Sequence, residues 1–162
     1  MEYALLAMTI ILAFIITMIL LDRKNRKSTL RIKPCYPYLR LPGPEKRIRL
    51  GVEVTSLLDL WNLSESDQKI LLGLRPDDHT LLEMFRSGVG FGAEMDLLGR
   101  IGHLLAIDEA LGLIYKGSPD RRFRWVTEEN QNFDNHCPLH YLKQGYEGIL
   151  AVRRFIDFER GF

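Results

Sequence analysis

The sequence predicts an all-α protein in which a helical domain follows one N-terminal transmembrane helix. Three observations support this fold class. Residues 3–21 are apolar and carry no charge, and from Val54 onward apolar residues recur with the spacing of a helix. No segment alternates apolar and polar residues as a strand would. Hydrophobic residues make up 46% and charged residues 27% of the chain, which is typical of a globular protein rather than a disordered one.

The first apolar stretch is long enough to cross a bilayer. Nineteen residues at about 1.5 Å each span about 28 Å, close to the thickness of the hydrocarbon core. A cleaved signal peptide would begin with a basic region and end at small residues. Instead the chain begins Met1-Glu2, and residues 18–21 are Met-Ile-Leu-Leu. We therefore expect residues 1–21 to be an uncleaved transmembrane anchor.

A basic, proline-rich linker over residues 22–50 is expected to follow the anchor. It holds ten Lys or Arg against two acids, a net +8, whereas residues 51–162 hold twelve against eighteen, a net −6. Basic residues beside a span mark its cytoplasmic side, so we expect a single-pass protein of the bacterial inner membrane with its C-terminal domain in the cytoplasm. The ten basic residues of this linker, called the basic collar, either contact anionic lipid or only fix the topology. Four prolines at positions 34, 37, 42 and 44 predict an extended linker.

Residues 51–92 predict a region that resembles a helix-turn-helix. Ser64 is a favourable N-cap and Gly73 a favourable residue just after a helix. A second helix is expected to carry Asp77 and Asp78 in its first turn and to stop at Gly88.

Residues 93–162 predict further helices. Asp108 is expected to cap a separate helix after the one that begins near residue 95, and Gly99 and Gly102 would let a neighbouring element approach that first helix closely. The last helix should bury one apolar stripe. The residues on these apolar faces are Leu97, Ile101, Leu104 and Leu105 in the first helix and Ile149, Val152 and Ile156 in the last.

A cluster of His136, Cys137 and His140 could suggest metal binding or Cys/His catalysis. Pro138 favours the first position of a helix, which makes Cys137 the N-cap and leaves His136 outside the face that carries His140. No base or oxyanion hole accompanies the cysteine. We therefore expect no catalytic residue, no metal and no cofactor. Cys35 and Cys137 predict no disulfide framework.

Three segments then resemble the toxin-binding domain of the Xre/MbcA/ParS antitoxins. They are "LLGRIGHLLAIDEALGLIY", "RWVTEENQNFDNHCPLHYL" and "GILAVRRFIDFERG", and together they cover about residues 95–161. The upstream stretch "LLDLWNLSESDQKILLGLRPDDHTLLEMFRSG" resembles the helix-turn-helix that precedes this domain in the family. The matching positions are Arg100-Ile101, Ile107, Ala110-Leu111, Trp125, Asn130, Phe133, Pro138-Leu139, Gly145, Val152-Arg153 and Ile156.

The resemblance implies a binding protein and not an enzyme. Antitoxins of this family pair with RES-type toxins, which consume NAD, and their C-terminal region blocks the entry to the toxin's active site. The partner-binding residues that the resemblance implies are Asn130, Phe133, Pro138, Leu139, Arg153, Arg154, Arg160 and Gly161.

The sequence departs from the family at three places. Asn135, His136 and Cys137 fill a turn where the family has glycine, although Asn tolerates the left-handed conformation that such a turn needs. The candidate recognition helix is acidic, so DNA binding is not expected; the only good phosphate contacts are Lys69, Arg75 and Arg86. A membrane anchor is also unusual for an antitoxin.

Two functions therefore stay open. The first is a membrane-tethered antitoxin that neutralises a RES-type toxin. The alternative is a membrane-anchored adaptor that reuses the fold to recruit another cytosolic protein or to form a homo-oligomer, without binding DNA. A RES-type gene beside this one would favour the first function.

Overall fold

The computed structural model describes residues 42–161, and this part of the chain is helical throughout. It holds seven α-helices, one short 3-10 helix and no strand, so the predicted all-α class is confirmed here. The helices are α1 (Pro44–Leu60), α2 (Glu65–Leu72), α3 (His79–Arg86), α4 (Met95–Ile114), α5 (Pro119–Arg124), α6 (Pro138–Leu142) and α7 (Tyr146–Glu159), with the 3-10 helix at Gln131–Phe133. The long helix α4 is central: it contacts α7, α1, α2 and α5, while α1 contacts α3 and α6 contacts α7.

Helix α1 begins inside the segment that the prolines predicted to be an extended linker. Pro44 occupies the start of the helix, where its missing N–H costs nothing and its fixed φ angle is already helical. Residues 44–50, which the prolines predicted to be extended, are therefore helical. Arg47, counted with the basic collar, donates hydrogen bonds to the carbonyls of Pro42 at 2.8 Å and Phe91 at 2.9 Å.

The cap residues predicted for α2 are confirmed. The Ser64 hydroxyl accepts a hydrogen bond from the Asp67 N–H at 3.2 Å, and Gly73 is left-handed with φ +69°. Helix α3 begins at His79, so Asp77 and Asp78 precede it instead of filling its first turn. It ends just before Gly88, which has φ +75°, as predicted.

Helix α4 does not break at Asp108. It runs for 20 residues, and the predicted second helix is its C-terminal half. Asp108 lies within the helix, where its carboxylate accepts hydrogen bonds from both the Nε and the Nη2 of Arg122. The short α5, which supplies this arginine, was not predicted. Its acid–guanidinium pair fastens α5 to the side of α4.

The apolar stripes of α4 and α7 meet in one core. Leu97, Ile101 and Leu104 of α4 are buried, as are Ile149, Val152 and Ile156 of α7, which confirms the predicted faces. Leu105 is only partly buried. Gly99 allows the close approach expected of it, because a Cβ there would lie 2.7 Å from the Tyr146 hydroxyl. Gly102 has no such neighbour.

The predicted location in the inner membrane is corrected. In residues 42–161 no helix is long and apolar enough to cross a membrane. The predicted span at residues 3–21, its lipid contacts and most of the basic collar lie outside the described residues. The function proposed below does not depend on the membrane location.

Candidate functional site

Three aromatic rings join the loop after α5 to the last helix. The Phe133 ring centroid lies 5.9 Å from that of Trp125 and 4.8 Å from that of Phe155, both edge-on. Trp125 and Phe155 stack nearly parallel at 6.5 Å. Phe133 and Trp125 are almost fully buried. The cluster therefore holds residues 130–136, called the Asn130 loop below, against α7.

Asn130 organises this loop through its backbone and its side chain. Its Oδ1 accepts a hydrogen bond from the Asn132 N–H at 2.9 Å and so caps the 3-10 helix. Its carbonyl accepts from the N–H groups of Phe133 at 2.9 Å and Asn135 at 3.2 Å, and its own N–H donates to the His136 carbonyl at 3.2 Å. The cap needs a short side chain with an oxygen acceptor, and Asn130 supplies it.

The turn that departs from the family pattern keeps its left-handed conformation. Asp134 has φ +53° and Asn135 has φ +61°, so Asn replaces the glycine as predicted. Helix α6 then begins at Pro138 with Cys137 as its N-cap, also as predicted, although the thiol makes no capping hydrogen bond. The Leu139 N–H donates to the Val126 carbonyl at 2.9 Å, which ties α6 back to the end of α5.

A small cavity of about 80 Å³ opens between the Asn130 loop, the end of α4 and α7. Asn130 and Asn132 present amides to it, and Glu159 presents a carboxylate. Ligand pockets for small molecules have volumes of roughly 300–1,000 Å³. The cavity therefore suits a single side chain of a partner protein better than a substrate.

The partner-binding residues predicted from the resemblance differ in their accessibility. Phe133 and Pro138 are buried, so they shape the surface without forming it. Arg153 pairs with Asp157 at 2.7 Å. Arg154 is exposed, and within residues 42–161 it is in no ion pair. The remaining members are Asn130, Leu139 and Arg160, which are partly buried, and Gly161, which is exposed.

The helical hydrogen bonding of α7 continues to Arg160. The Arg160 N–H donates to the Ile156 carbonyl at 3.0 Å, so this residue completes the last turn of the helix. Gly161 follows with φ +87°. Phe158, which the sequence analysis missed, is 74% exposed beside this end. Its signal was present in the sequence, because residue 158 lies two positions after the buried Ile156 and so on the opposite face of the helix.

The two histidines near α6 lie closer together than predicted. The ring centroids of His136 and His140 are 4.7 Å apart, although Pro138 was expected to separate them. The left-handed residues before the helix bring His136 over its first turn. Among residues 42–161 no group of three or more His, Cys, Asp or Glu side chains is placed to hold a metal ion. The pair alone provides too few ligands for a structural zinc site.

The three candidate phosphate contacts are placed unevenly. Lys69 is only 4% exposed, and its Nζ lies 2.9 Å from the Glu65 carboxylate and 2.9 Å from the His79 imidazole. Arg86 donates to the Asp59 carboxylate at 3.1 Å and to the Gln68 side chain at 3.0 Å. Arg75 is exposed. Two of the three cations are therefore already engaged inside the domain.

The comparison with known families matches the second half of the described chain. Residues 110–161 match the family model of the antitoxin Xre/MbcA/ParS C-terminal toxin-binding domain. The matched segment contains the Asn130 loop, the aromatic cluster and α7, and every residue of the predicted partner-binding set lies within it. A match to a toxin-binding domain supports an antitoxin role and implies a toxin as the partner.

The match is shorter than the resemblance drawn from the sequence. It begins at residue 110, within α4, and does not extend over the region predicted to resemble a helix-turn-helix. That upstream part of the resemblance is therefore not supported. Searches among curated proteins and among solved structures found no match to the chain.

Proposed function

We propose that this protein is the antitoxin of a toxin–antitoxin pair and that its partner is a RES-type toxin, which consumes NAD. The protein binds the toxin through the Asn130 loop, the start of α6 and the exposed side of α7, and it closes the entry to the toxin's active site. The match of residues 110–161 to a toxin-binding domain carries this proposal. The RES class of the partner rests on the resemblance of the quoted motifs.

The surface of the matched segment carries exposed side chains of the kind that bind a partner protein. Phe158 offers a large apolar side chain that is 74% exposed, and Arg154 offers an exposed guanidinium one turn earlier on α7. Aromatic residues and arginine are enriched among residues that dominate binding energy. The Asn130 loop packs on the same helix through the Phe133–Phe155 contact, and its internal hydrogen bonds lower the entropic cost of docking.

The decisive experiment measures toxin neutralisation and binding together. The chain is co-expressed with a RES-type toxin, and cellular NAD, growth and co-purification are followed. We expect the parent chain to restore NAD and growth. Arg154→Glu should abolish both rescue and co-purification, because it reverses the charge of the exposed contact. Its free energy of unfolding should change by less than about 1 kcal/mol, as expected for a surface position.

A matched control uses the same helix. Glu147 is an exposed acid in the first turn of α7, and Glu147→Arg should leave rescue intact. A chain that ends at Glu159 tests the contribution of the last residues and should bind less tightly. If the parent chain co-purifies with the toxin but NAD continues to fall, the occlusion mechanism is wrong. If it binds no RES-type toxin at all, the partner class is wrong.

A further inference from the structure

An open groove of about 600 Å³ lies between α1, α4 and α5. The side of α1 that lines it carries Glu53, Ser56, Leu57 and Leu60, and the side of α4 carries Gly102, Leu105, Ala106 and Glu109. Both sets have the spacing i, i+3, i+4, i+7, which is one complete face of two helical turns. All eight of these residues precede the matched segment. No residue of the surface proposed to bind the toxin lines the groove, so the groove is a separate surface.

The floor of the groove is backbone and small side chains. A Cβ built on Gly102 would have no atom within 4 Å, and Ala106 follows one turn later on the same face. Glycine inside a helix costs about 0.5–1 kcal/mol relative to alanine. At Gly99 the close approach of Tyr146 explains the glycine, whereas no neighbour among residues 42–161 explains Gly102. Open space over two small residues admits the backbone of another helix.

The walls of the groove are apolar and its rim is acidic. Leu60 is 55% exposed, and Leu105 and Phe123 are partly buried. Glu53 and Glu109 are exposed, and within residues 42–161 neither forms an ion pair. The other charges that line the groove, Asp108 and Arg122, neutralise each other. The unpaired charge at the rim is therefore negative.

We propose that this groove is a second docking site and that it takes an amphipathic helix from a partner protein, with an apolar stripe and Lys or Arg along its flanks. Two neighbouring helices that each present a two-turn face toward a groove form the trough in which a third helix packs. The stripe inserts between Leu57, Leu60 and Leu105 and crosses α4 at Gly102. The basic flanks pair with Glu53 and Glu109. This is recognition of a helix in a groove, and it goes beyond toxin neutralisation.

The test uses the purified full chain and two designed helical peptides of about 16 residues, a length that can form a helix when it is held by packing. Both peptides carry Leu and Ala at i, i+3, i+4 and i+7; one has Lys on both flanks and the other has Glu. We expect the Lys peptide to bind at least about tenfold more tightly than the Glu peptide by isothermal titration calorimetry. Gly102→Leu should weaken the Lys peptide at least about tenfold, since it fills the open floor.

Two further variants distinguish binding in this groove from non-specific binding to any exposed apolar residue. Leu60→Asp should weaken the Lys peptide, whereas Leu113→Asp should not, because Leu113 is similarly exposed at 57% but does not line the groove. Both variants should still neutralise the toxin. Absence of Lys-peptide binding, equal affinity for the two peptides or equal loss in the two aspartate variants would overturn the proposal. Self-association of the chain that Gly102→Leu abolishes would also overturn it, since a second copy would then be the occupant.

Discussion

At the residue scale, Gly99 and Gly102 of α4 have opposite surroundings. A Cβ at Gly99 would lie 2.7 Å from the Tyr146 hydroxyl, and one at Gly102 would meet open space. Alanine at either position gains helix propensity worth about 0.5–1 kcal/mol. Only at Gly99 must a packed side chain move, and overpacking of this kind costs about 1–3 kcal/mol.

The two alanine variants should therefore change the free energy of unfolding in opposite directions. We expect Gly102→Ala to raise the free energy of unfolding by about 0.5–1 kcal/mol and Gly99→Ala to lower it by roughly 1–2 kcal/mol. Urea denaturation followed by circular dichroism measures both. The double variant Gly99→Ala with Tyr146→Phe serves as the control, because it removes the nearest atom and should recover part of the loss. Equal stabilisation by both alanines would contradict the packing described for α7 on α4.

The backbone conformation of single residues could be predicted from the sequence where it depends only on the residue's own side chain and its neighbours in the chain. Ser64, Gly73 and Asn135 adopt the conformations expected from their side chains. Phe133 could not be placed in this way, because its burial depends on Trp125 and on Phe155, which is 22 positions away. The motif identified Phe133 as important, but only the folded chain assigns it to the support of the surface.

At the scale of elements, the contact between α4 and α7 includes a titratable side chain, His103. The His103 Nε2 lies 3.2 Å from the Tyr146 hydroxyl, and the two rings meet edge-on. Burial lowers the pKa of His103, and the charge of Arg153 lowers it further, while Asp157 partly opposes this. The neutral imidazole is therefore the form that fits between these helices.

Because the pKa of His103 is lowered in the folded chain, protonation of this residue destabilises the fold at low pH. In the unfolded chain His103 takes up a proton near its ordinary pKa of 6.5, and in the folded chain it does so only at lower pH. The unfolded state thus binds more protons as the pH falls below about 6.5, and stability decreases there. In His103→Gln this decrease should be smaller. Thermal unfolding at pH 7.5 and pH 5.5 measures this decrease, and the exposed His136→Gln serves as the control. If His103→Gln loses as much stability between these pH values as the parent chain does, His103 does not titrate as described.

Element boundaries were harder to predict than element types. Pro44 indicated a linker because prolines cluster before it, yet a proline at a helix start is favourable, and the apolar residues Val54 and Leu58 commit the segment to the core. Asp108 suggested a cap because an acid often starts a helix. Its real partner is Arg122, and a pair 14 residues apart leaves no local pattern to detect.

At the scale of the whole described chain, one core joins the matched segment to the helices before it. Buried residues of α1, α2 and α3 pack in the same cluster as those of α4 and α7. Lys143, after α6, pairs with Asp67 of α2 at 2.5 Å. The match begins within α4, so the surface proposed to bind the toxin rests on helices that lie outside the match. This dependence gives α1–α3 a structural role that requires no contact with DNA.

The last prediction is that the protein does not bind DNA specifically. Residues 51–162 have a net charge of −6, from twelve basic and eighteen acidic residues. Of the three candidate phosphate contacts, Lys69 is buried against Glu65 and Arg86 is held by Asp59, so a phosphate would have to displace carboxylates from both. Nucleic-acid binding at physiological salt needs several free cations on one face. Fluorescence anisotropy of the full chain should show no preference for labelled DNA from upstream of its own gene over DNA of random sequence, because any binding by the basic residues 22–50 is independent of sequence. Lys69→Ala should not change this result. A nanomolar, sequence-dependent signal whose affinity falls steeply with salt would instead mean that α2 and α3 act as a DNA-reading unit.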